Sequence, residues 1–313
     1  MKFYIISFII LLQGYLLSQE KEYFTLRDAF KEPDSVKILS LGDYRFDEQT
    51  EKVFKVDSRI KELKNLEEFK FTCNYLDSLP SDITELRKLK SITILDADNL
   101  SAPLNNCMLN FPDTFTKLSK IKSLTRLYIP YIKFTLPPEI KHLTNIKIIT
   151  LVDNKLNIVP EEISQMKNLR AININYNELN ALPISLSNLD SLINLDLLHN
   201  NFDSIPSVVF NINSLKYLDI SYNKVKEIPK EIDKLRNLKQ LILKRNMISE
   251  IPVELFNCEE LEILDISDNK ISNVPINIFA LKKLKKLDVS GNNISEIQIQ
   301  ILKDYLIGVE VIN

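Results

Sequence analysis

A pattern of 23 residues that recurs along most of the chain is the feature that most constrains its fold. The pattern reads L-x-x-L-x-L-x-x-N-x-L/I-x-x-I/L-P-x-x-I/L-x-x-L-x-x, and its last six spacings are all 23 residues. Eleven units begin at Val36, Leu66, Leu89, Leu124, Ile146, Leu169, Leu192, Leu215, Leu238, Leu261 and Leu284. One such unit cannot bury its own apolar side, so neighbouring units must stack and share a continuous core. The sequence therefore predicts a solenoid.

The first half of each unit predicts a short, half-buried strand, because apolar and polar residues alternate in L-x-x-L-x-L. Stacking would place these strands in parallel, about 4.8 Å apart. The chain then turns away, which leaves backbone N–H and C=O groups inside that need partners. An inward-pointing asparagine offers two donors and an acceptor. The recurring asparagines are therefore predicted to form a buried structural ladder: Asn74, Asn154, Asn177, Asn200, Asn223, Asn246, Asn269 and Asn292.

The second half of each unit predicts a short helix or turn on the opposite, outer side. A proline, which suits the start of such a segment, is followed by apolar residues at helical spacing. The prolines are Pro80, Pro112, Pro137, Pro160, Pro183, Pro206, Pro229, Pro252 and Pro275. The intervening positions are mostly Lys, Glu, Asp, Asn and Ser, which indicates a solvated surface without an assigned function.

These motifs resemble the leucine-rich repeat family from Val36 to about Leu306. The 23-residue units with I/L-P-x-x-I are similar to those of bacterial secreted leucine-rich repeat proteins and of Ras-binding-type scaffolds. The resemblance implies an α/β horseshoe, with a parallel β-sheet on the concave side and short helices or turns on the convex side. It also implies a binding module, since family members bind proteins most often and sometimes peptides or glycans.

The two ends of the chain depart from the repeat. Residues 1–18, with Lys2 followed by the apolar run 3–12, predict a signal peptide, although an uncleaved anchor or a buried core segment are alternatives. Residues 19–35 predict a capping helix segment, in which Thr25 and Asp28 make a weak capping box. The solenoid is assigned to residues 36–306, and residues 307–313 predict a last strand or cap. We therefore expect an extracytoplasmic protein: periplasmic, cell-surface or secreted.

Composition bears on the chemistry that the chain could perform. The formal net charge is −2, from 40 basic and 42 acidic residues, and no segment is a block of one sign, so a nucleic-acid partner is not expected. No catalytic, phosphate-binding or metal-binding motif is present, so we expect no enzyme activity and no cofactor or metal. The three cysteines lack metal-site spacing; Cys73 and Cys107 could form a disulfide, or all three could be free thiols.

Two kinds of titratable residue are candidate sites. His142 and His199 belong to different units and are expected on opposite sides of the solenoid, where surface histidines are more common than bases or ligands. Asp196 and Asp219 hold the same outward strand position in adjacent units, as do Asp265 and Asp288. Such a pair could take a cation or a basic side chain from a partner, but Asp is also common at this position in the family.

The predicted concave face is the candidate partner surface, because tyrosines concentrate there and tyrosine is enriched in interface cores. Its predicted binding residues are Arg126, Tyr128, Tyr131, Asn173, Asn175, Tyr176, Asp196, His199, Tyr217, Asp219 and Tyr222. Aromatic residues that merely cover the strand edge are the alternative. Asn194 lies within the same patch, which Thr150 and Val152 continue and which Gln240, Lys244 and Arg245 extend with positive charge.

We therefore expect a non-catalytic module that binds a protein or peptide partner, with a glycan also possible. An intracellular signalling scaffold is one alternative and requires that residues 1–18 are not a signal peptide. A structural envelope or assembly protein is another, joined through an exposed last strand. The first third is irregular, with an insertion in DNLSAPLNNCMLNFP that is either a binding loop or a neutral elaboration.

Overall fold

The computed structural model describes residues 20–42, 56–73, 76–95 and 107–313. The chain divides into two compact units, residues 1–132 and residues 133–313. The predicted signal peptide and the ladder residue Asn74 lie outside the described residues. So does most of the insertion, of which residues 107–112 are described.

Five parallel strands are described in the first unit, and they pair in the order of the sequence. They are β1 (Glu22–Tyr23), β2 (Ile38–Leu41), β3 (Glu68–Thr72), β4 (Ser91–Leu95) and β5 (Arg126–Tyr128). The helices are α1 (Leu26–Ala29) and α2 (Phe111–Leu118), with 3₁₀ helices at Pro33–Ser35, Ser58–Glu62 and Ser81–Glu85. The Thr25 hydroxyl oxygen accepts from the Asp28 N–H at 3.1 Å, which caps α1.

The second unit contains eight parallel strands, paired in sequence order. They are β6 (Ile148–Thr150), β7 (Ala171–Asn173), β8 (Asn194–Asp196), β9 (Tyr217–Asp219), β10 (Gln240–Ile242), β11 (Ile263–Asp265), β12 (Lys286–Asp288) and β13 (Glu310–Ile312). The 3₁₀ helices are Pro138–His142, Glu161–Gln165, Ile184–Asn188, Ser207–Asn211, Lys230–Lys234, Val253–Asn257 and Ile276–Ala280, and α3 spans Glu296–Tyr305. No helix in the described ranges is both long and apolar enough to cross a membrane.

The register of the strands follows the repeat, so each column of the pattern becomes a row across the sheet. In the second unit, Ile172, Leu195, Leu218 and Leu241 pair in turn and are each at most 1% exposed. The 3₁₀ helices contribute the opposite wall of this core through residues such as Ile163. The predicted α/β repeat architecture, with a parallel sheet and short helices opposite it, is confirmed within each unit.

The proline column starts the 3₁₀ helices. Pro160 is extended, at φ −69° and ψ 148°, and its carbonyl oxygen accepts from the Ile163 N–H at 3.1 Å, which closes the first turn. In the last repeat, Gln298 replaces the proline, and this segment forms the longer α-helix α3, capped by Ser295. The backbone N–H that proline would lack donates there to Ser295 Oγ at 3.3 Å, so Gln298 contributes to the cap of this helix.

The ladder asparagines of the second unit tie each repeat to the preceding one. The Asn223 side-chain amide donates to the carbonyl oxygen of Leu197 in the previous repeat, at 3.1 Å, and to two carbonyls of its own bend at 3.0 Å. Its Oδ1 accepts from the Phe202 N–H at 3.0 Å. The same bonds recur at Asn177, Asn200, Asn246, Asn269 and Asn292.

Replacing Asn223 with Leu should lower the free energy of unfolding by about 1–3 kcal/mol, because the buried groups that it serves lose their partners. The measurement is urea or thermal unfolding followed by circular dichroism. Asn211→Leu is the matched control, since Asn211 is exposed on a 3₁₀ helix, and it should change stability by less than about 0.5 kcal/mol. Equal effects of the two substitutions would contradict the structural role of the ladder.

A disulfide joins Cys73 and Cys107 in the first unit, with their Cα atoms 4.9 Å apart. The sequence left this pairing open. The bond closes a stretch of 34 residues that includes β4, and the remaining cysteine, Cys258, is buried and free. Closing a loop restricts the unfolded chain, so the bond stabilises the irregular part of the repeat array.

Reduction, or the pair of substitutions Cys73→Ser and Cys107→Ser, should destabilise the first unit by up to about 4 kcal/mol from loop-closure entropy. Hydrogen exchange measured by mass spectrometry should show faster exchange in β3 and β4. Strands β9–β11 of the second unit serve as the internal control, and Cys258→Ala controls for loss of a thiol. Unchanged protection of β3 and β4 would show that the bond contributes nothing to stability.

Candidate functional site

The strands of the second unit end in sharp bends, and the residue before each ladder asparagine is left-handed there. This conformation recurs in consecutive repeats, with φ between 52° and 56°, at Asp153, Tyr176, His199, Tyr222, Arg245 and Asp268. Residues other than glycine adopt it uncommonly. The following repeat has Gly291 at this position, with φ 67°. The backbone therefore aims one side chain per repeat outward along the same edge of the strands.

Five of these side chains form a continuous stack, which we call the stacked column: Tyr176, His199, Tyr222, Arg245 and Asp268. The ring centroids of Tyr176 and His199 are 4.8 Å apart with an angle of 22° between the planes, and those of His199 and Tyr222 are 6.1 Å apart at 14°. Arg245 Cζ lies 5.0 Å from the Tyr222 centroid, and Arg245 Nε is 3.2 Å from Asp268 Oδ2. Each side chain is therefore held by its neighbour in the next repeat.

The repeat spacing explains the stack. Parallel strands lie about 4.8 Å apart, which is close to the separation at which aromatic rings pack against one another. The column remains open to solvent, since Tyr176 is 48% exposed and the Arg245 side chain is 58% exposed. It is thus a preformed aromatic surface bounded at one end by an ion pair.

A row of polar side chains runs beside the stacked column at the middle outward strand position. Thr150, Asn173, Asp196 and Asp219 are register partners on the consecutive strands β6–β9. Asn175 Nδ2 donates to Asp196 Oδ2 at 2.8 Å. Burial raises the pKa of Asp196 and, together with the charge of Asp196, raises that of Asp219.

Most aspartates of this row also close the bend that follows their strand. Oδ1 of Asp265 accepts from the N–H of Ser267 at 3.0 Å and from its hydroxyl at 2.6 Å, and Asp219 and Asp288 are bonded in the same way to Ser221 and Ser290. Asp196 differs, because Leu198 stands in place of the serine and donates only its N–H, at 3.3 Å. The structural role that the family resemblance implied for Asp is therefore visible, and it is weakest at Asp196.

The predicted binding residues of the second unit separate into two groups. Tyr176, His199 and Tyr222 come together in the stacked column, whereas Asn173, Tyr217 and Asp219 are half-buried on the strands. The expectation that the whole set is exposed is wrong for Asn175 and Asp196, which are 7% and 6% exposed. Their polar atoms bond to each other and to the backbone of the bend instead of to water.

The remaining predicted residues, Arg126, Tyr128 and Tyr131, belong to the first unit. Arg126 and Tyr128 are half-buried on β5, and burial raises the pKa of Tyr128. Tyr131 is 42% exposed and left-handed, with φ 66°. We treat these three residues separately from the stacked column, because they lie in a different compact unit.

Sequence reasoning missed part of the stacked column. Asp268 was not among the predicted binding residues, and Arg245 was predicted only to extend the partner surface with positive charge. The signal that would find both is the left-handed position before each ladder asparagine, which a strand pattern with alternating faces does not reveal. His142 lies at the end of the 3₁₀ helix Pro138–His142, away from the strands. No group of three or more His, Cys, Asp or Glu within the described residues is placed to hold a metal ion.

The family model described as leucine rich repeat matches two overlapping segments, residues 190–248 and 236–294. These segments contain β8–β12 and most of the stacked column. Residues 190–294 are therefore leucine-rich repeats. The repeats of the chain are similar to those of a bacterial relative of known structure, the leucine-rich repeat protein of Leptospira interrogans, with 27% identity and a TM-score of 0.74. That match covers 94% of this chain and 70% of the Leptospira chain.

Two further solved structures share this repeat fold at lower identity. The plant peptide hormone receptor RGFR1 in complex with RGF2 is 21% identical, with a TM-score of 0.56, and the match covers 87% of this chain and 50% of the receptor. TLR13 in a complex with the single-stranded RNA ssRNA13 is 22% identical, with a TM-score of 0.63, over 87% of this chain and 38% of TLR13. A comparison with curated protein sequences found no significant match.

Replacing Asp219 with Asn should stabilise this protein at neutral pH. The folded-state pKa of Asp219 is raised, so wild-type stability falls as the pH rises above about 4, where the unfolded carboxyl loses its proton first. The asparagine variant avoids that loss and still accepts from the Ser221 N–H. Its advantage should be small at pH 4 and on the order of 2 kcal/mol at pH 8.

The check on this expectation is the Tm of both proteins at pH 4, 6 and 8. Asp203→Asn, which changes an exposed aspartate outside the strands, is the control for a change in overall charge. An Asp219→Asn variant whose Tm difference from wild type is independent of pH would refute the electrostatic cost of the buried pair.

Proposed function

We propose that this protein is a non-catalytic binding module that recognises a protein or peptide through the stacked column of its second unit. The observation that carries the proposal is the column itself: two tyrosines, a histidine and an arginine held in one partly exposed stack across consecutive repeats. Arginine and tyrosine are the residues that most often supply binding energy at protein interfaces.

Rigidity is the physical advantage of this surface. Binding normally costs about 0.5–1.5 kcal/mol for each flexible side chain that becomes immobilised. In the stacked column, Tyr222 is already fixed between His199 and Arg245, and Arg245 is fixed by Asp268. The column covers five repeats, or about 20 Å at the strand spacing, which fits a peptide or one edge of a protein epitope.

The neighbours of known structure bear on the class of partner. The RGFR1 complex supports a peptide or protein partner, and a glycan stays a further possibility. The TLR13 complex with single-stranded RNA removes support for the expectation that nucleic acid is excluded, because the same fold serves an RNA there. The residues beside the stacked column nevertheless favour a protein, because no Lys or Arg occupies the outward positions of β7–β9, where phosphates would need a cation.

Export from the cytoplasm is part of the proposal. The disulfide between Cys73 and Cys107 fits an oxidising compartment, and residues 1–18 have the pattern of a signal peptide. The alternative of an intracellular scaffold predicts that both thiols are reduced in the native protein. Mass spectrometry of protein alkylated at the moment of harvest distinguishes the two.

The double substitution Tyr176→Ala and Tyr222→Ala should abolish partner binding, with at least a tenfold loss of affinity, and leave the Tm nearly unchanged. Alanine is preferred to glycine here because it keeps the cost of the left-handed backbone. The measurement is capture on the immobilised mature chain from native medium or envelope extract, identification by mass spectrometry, and titration of the purified partner.

Tyr305→Ala is the control for this experiment, because Tyr305 is 70% exposed but lies on α3. It should retain full affinity. A partner that binds the double variant as tightly as wild type would show that the stacked column is not the binding surface.

A further inference from the structure

The distribution of charge along the strands of the second unit is uneven. On β7–β9 and their bends, the outward positions hold Asp196 and Asp219 but no Lys or Arg. On β10–β12 the corresponding positions hold three cations, Lys244, Arg245 and Lys286, against three carboxylates. The sheet therefore supplies no cation to balance the carboxyl groups beside the aromatic half of the stacked column. On β10–β12, by contrast, the cations and the carboxylates are equal in number.

The two aspartate pairs, Asp196–Asp219 and Asp265–Asp288, differ in the cations that lie near them. Asp265 and Asp288 are register partners; burial raises the pKa of Asp265, and the nearby positive charge of Lys244 opposes that rise. Asp196 and Asp219 are register partners in the same way, but neither makes an ion pair with a described residue. Two carboxylates on adjacent parallel strands, about 4.8 Å apart, repel each other unless a cation or a proton lies between them.

The buried side chain of Asn175, which is bonded to Asp196, is an independent observation at the same site. Asn175 is 7% exposed, and its amide nitrogen donates to Asp196. Its Oδ1 is buried and has no hydrogen-bond donor among the described residues. A buried acceptor without a donor costs about 1–3 kcal/mol. A donor supplied from outside the chain would recover this cost and would meet the carboxylates at the same time.

We propose that Asp196 and Asp219, with Asn175 and the adjoining rings of Tyr176 and Tyr222, bind a cationic side chain of the partner, an arginine or a lysine. This inference rests on the proposed function and specifies its partner: a basic segment laid along the stacked column. Asp219 is the carboxylate that the cation contacts, because it is partly exposed. Asp196 adds charge from the adjacent strand.

The chemistry of the residues favours a nitrogen cation over a metal ion. A guanidinium or ammonium group supplies N–H donors for the Asp219 carboxylate and for Asn175 Oδ1, and the exposed ring of Tyr176 adds an aromatic surface beside them. Calcium needs six to eight oxygen ligands, more than these side chains provide. The raised pKa of each carboxyl group supports the inference, since an arriving cation removes the cost of charging the buried pair.

The test uses a matched pair of probes on the mature chain. One is a fluorescein-labelled decapeptide of Gly and Ser with three arginines at alternating positions, and the other carries citrulline, the neutral isostere, in their place. Fluorescence anisotropy should show at least tenfold tighter binding of the arginine peptide to wild type. This preference should disappear in Asp196→Asn and Asp219→Asn, which preserve side-chain size.

Asp265→Asn and Asp288→Asn are the matched controls, because they remove the same charges from the balanced pair, and they should keep the preference. Equal binding of the two peptides to wild type would overturn the inference, as would an equal loss in all four variants, which indicates general attraction to negative charge. A calcium titration that raises the Tm of wild type but not of Asp219→Asn, without any preference for arginine, would identify a metal site instead.

The outcome separates this inference from the proposed function. A natural partner that loses affinity on Tyr176→Ala and Tyr222→Ala, but not on Asp196→Asn or Asp219→Asn, would leave the binding surface in place and refute the cationic specificity. A partner insensitive to the tyrosines but sensitive to both aspartates would refute the role of the stacked column.

Discussion

The hydrogen bonds of the ladder asparagines are the interaction on which the second unit depends. Each repeat reverses direction inside the protein, where backbone groups cannot reach water. The Asn177 amide satisfies carbonyl oxygens of Leu151 and Ile174 in two successive repeats, and its Oδ1 accepts from the N–H groups of Asn154 and Leu156. No apolar side chain can do this, so a polar residue recurs in an otherwise aliphatic core.

The same bend creates the functional surface. To bring the asparagine inward after the strand, the preceding residue takes a left-handed conformation, which points its own side chain out. Repetition at the strand spacing then places these side chains in contact. In a chain with small residues at this position the column would be empty. Here Tyr176, His199 and Tyr222 occupy it, so the bend that the asparagine ladder requires also produces a preorganised aromatic surface.

The repeats of the first unit are irregular, and other features stabilise them. Ile132 stands where the ladder would have asparagine and is 3% exposed, so a buried apolar side chain takes that place. The α-helix α2, capped by Asn110, takes the place of a 3₁₀ helix after the insertion. The Cys73–Cys107 disulfide ties this segment to the preceding repeat. A covalent bond thus adds to the noncovalent contacts of this unit.

The sequence by itself determined the repeat architecture, because periodic apolar residues leave stacking as the way to bury them. It also located the tyrosines, since their position in the unit is periodic. It could not determine which outward positions stay exposed. Asn175 and Asp196 are buried and form a hydrogen bond between two repeats, and Arg245 joins the tyrosines through its contact with the Tyr222 ring. Only the tertiary structure decided these features, because they depend on distances between side chains of neighbouring repeats, which a one-dimensional pattern does not contain.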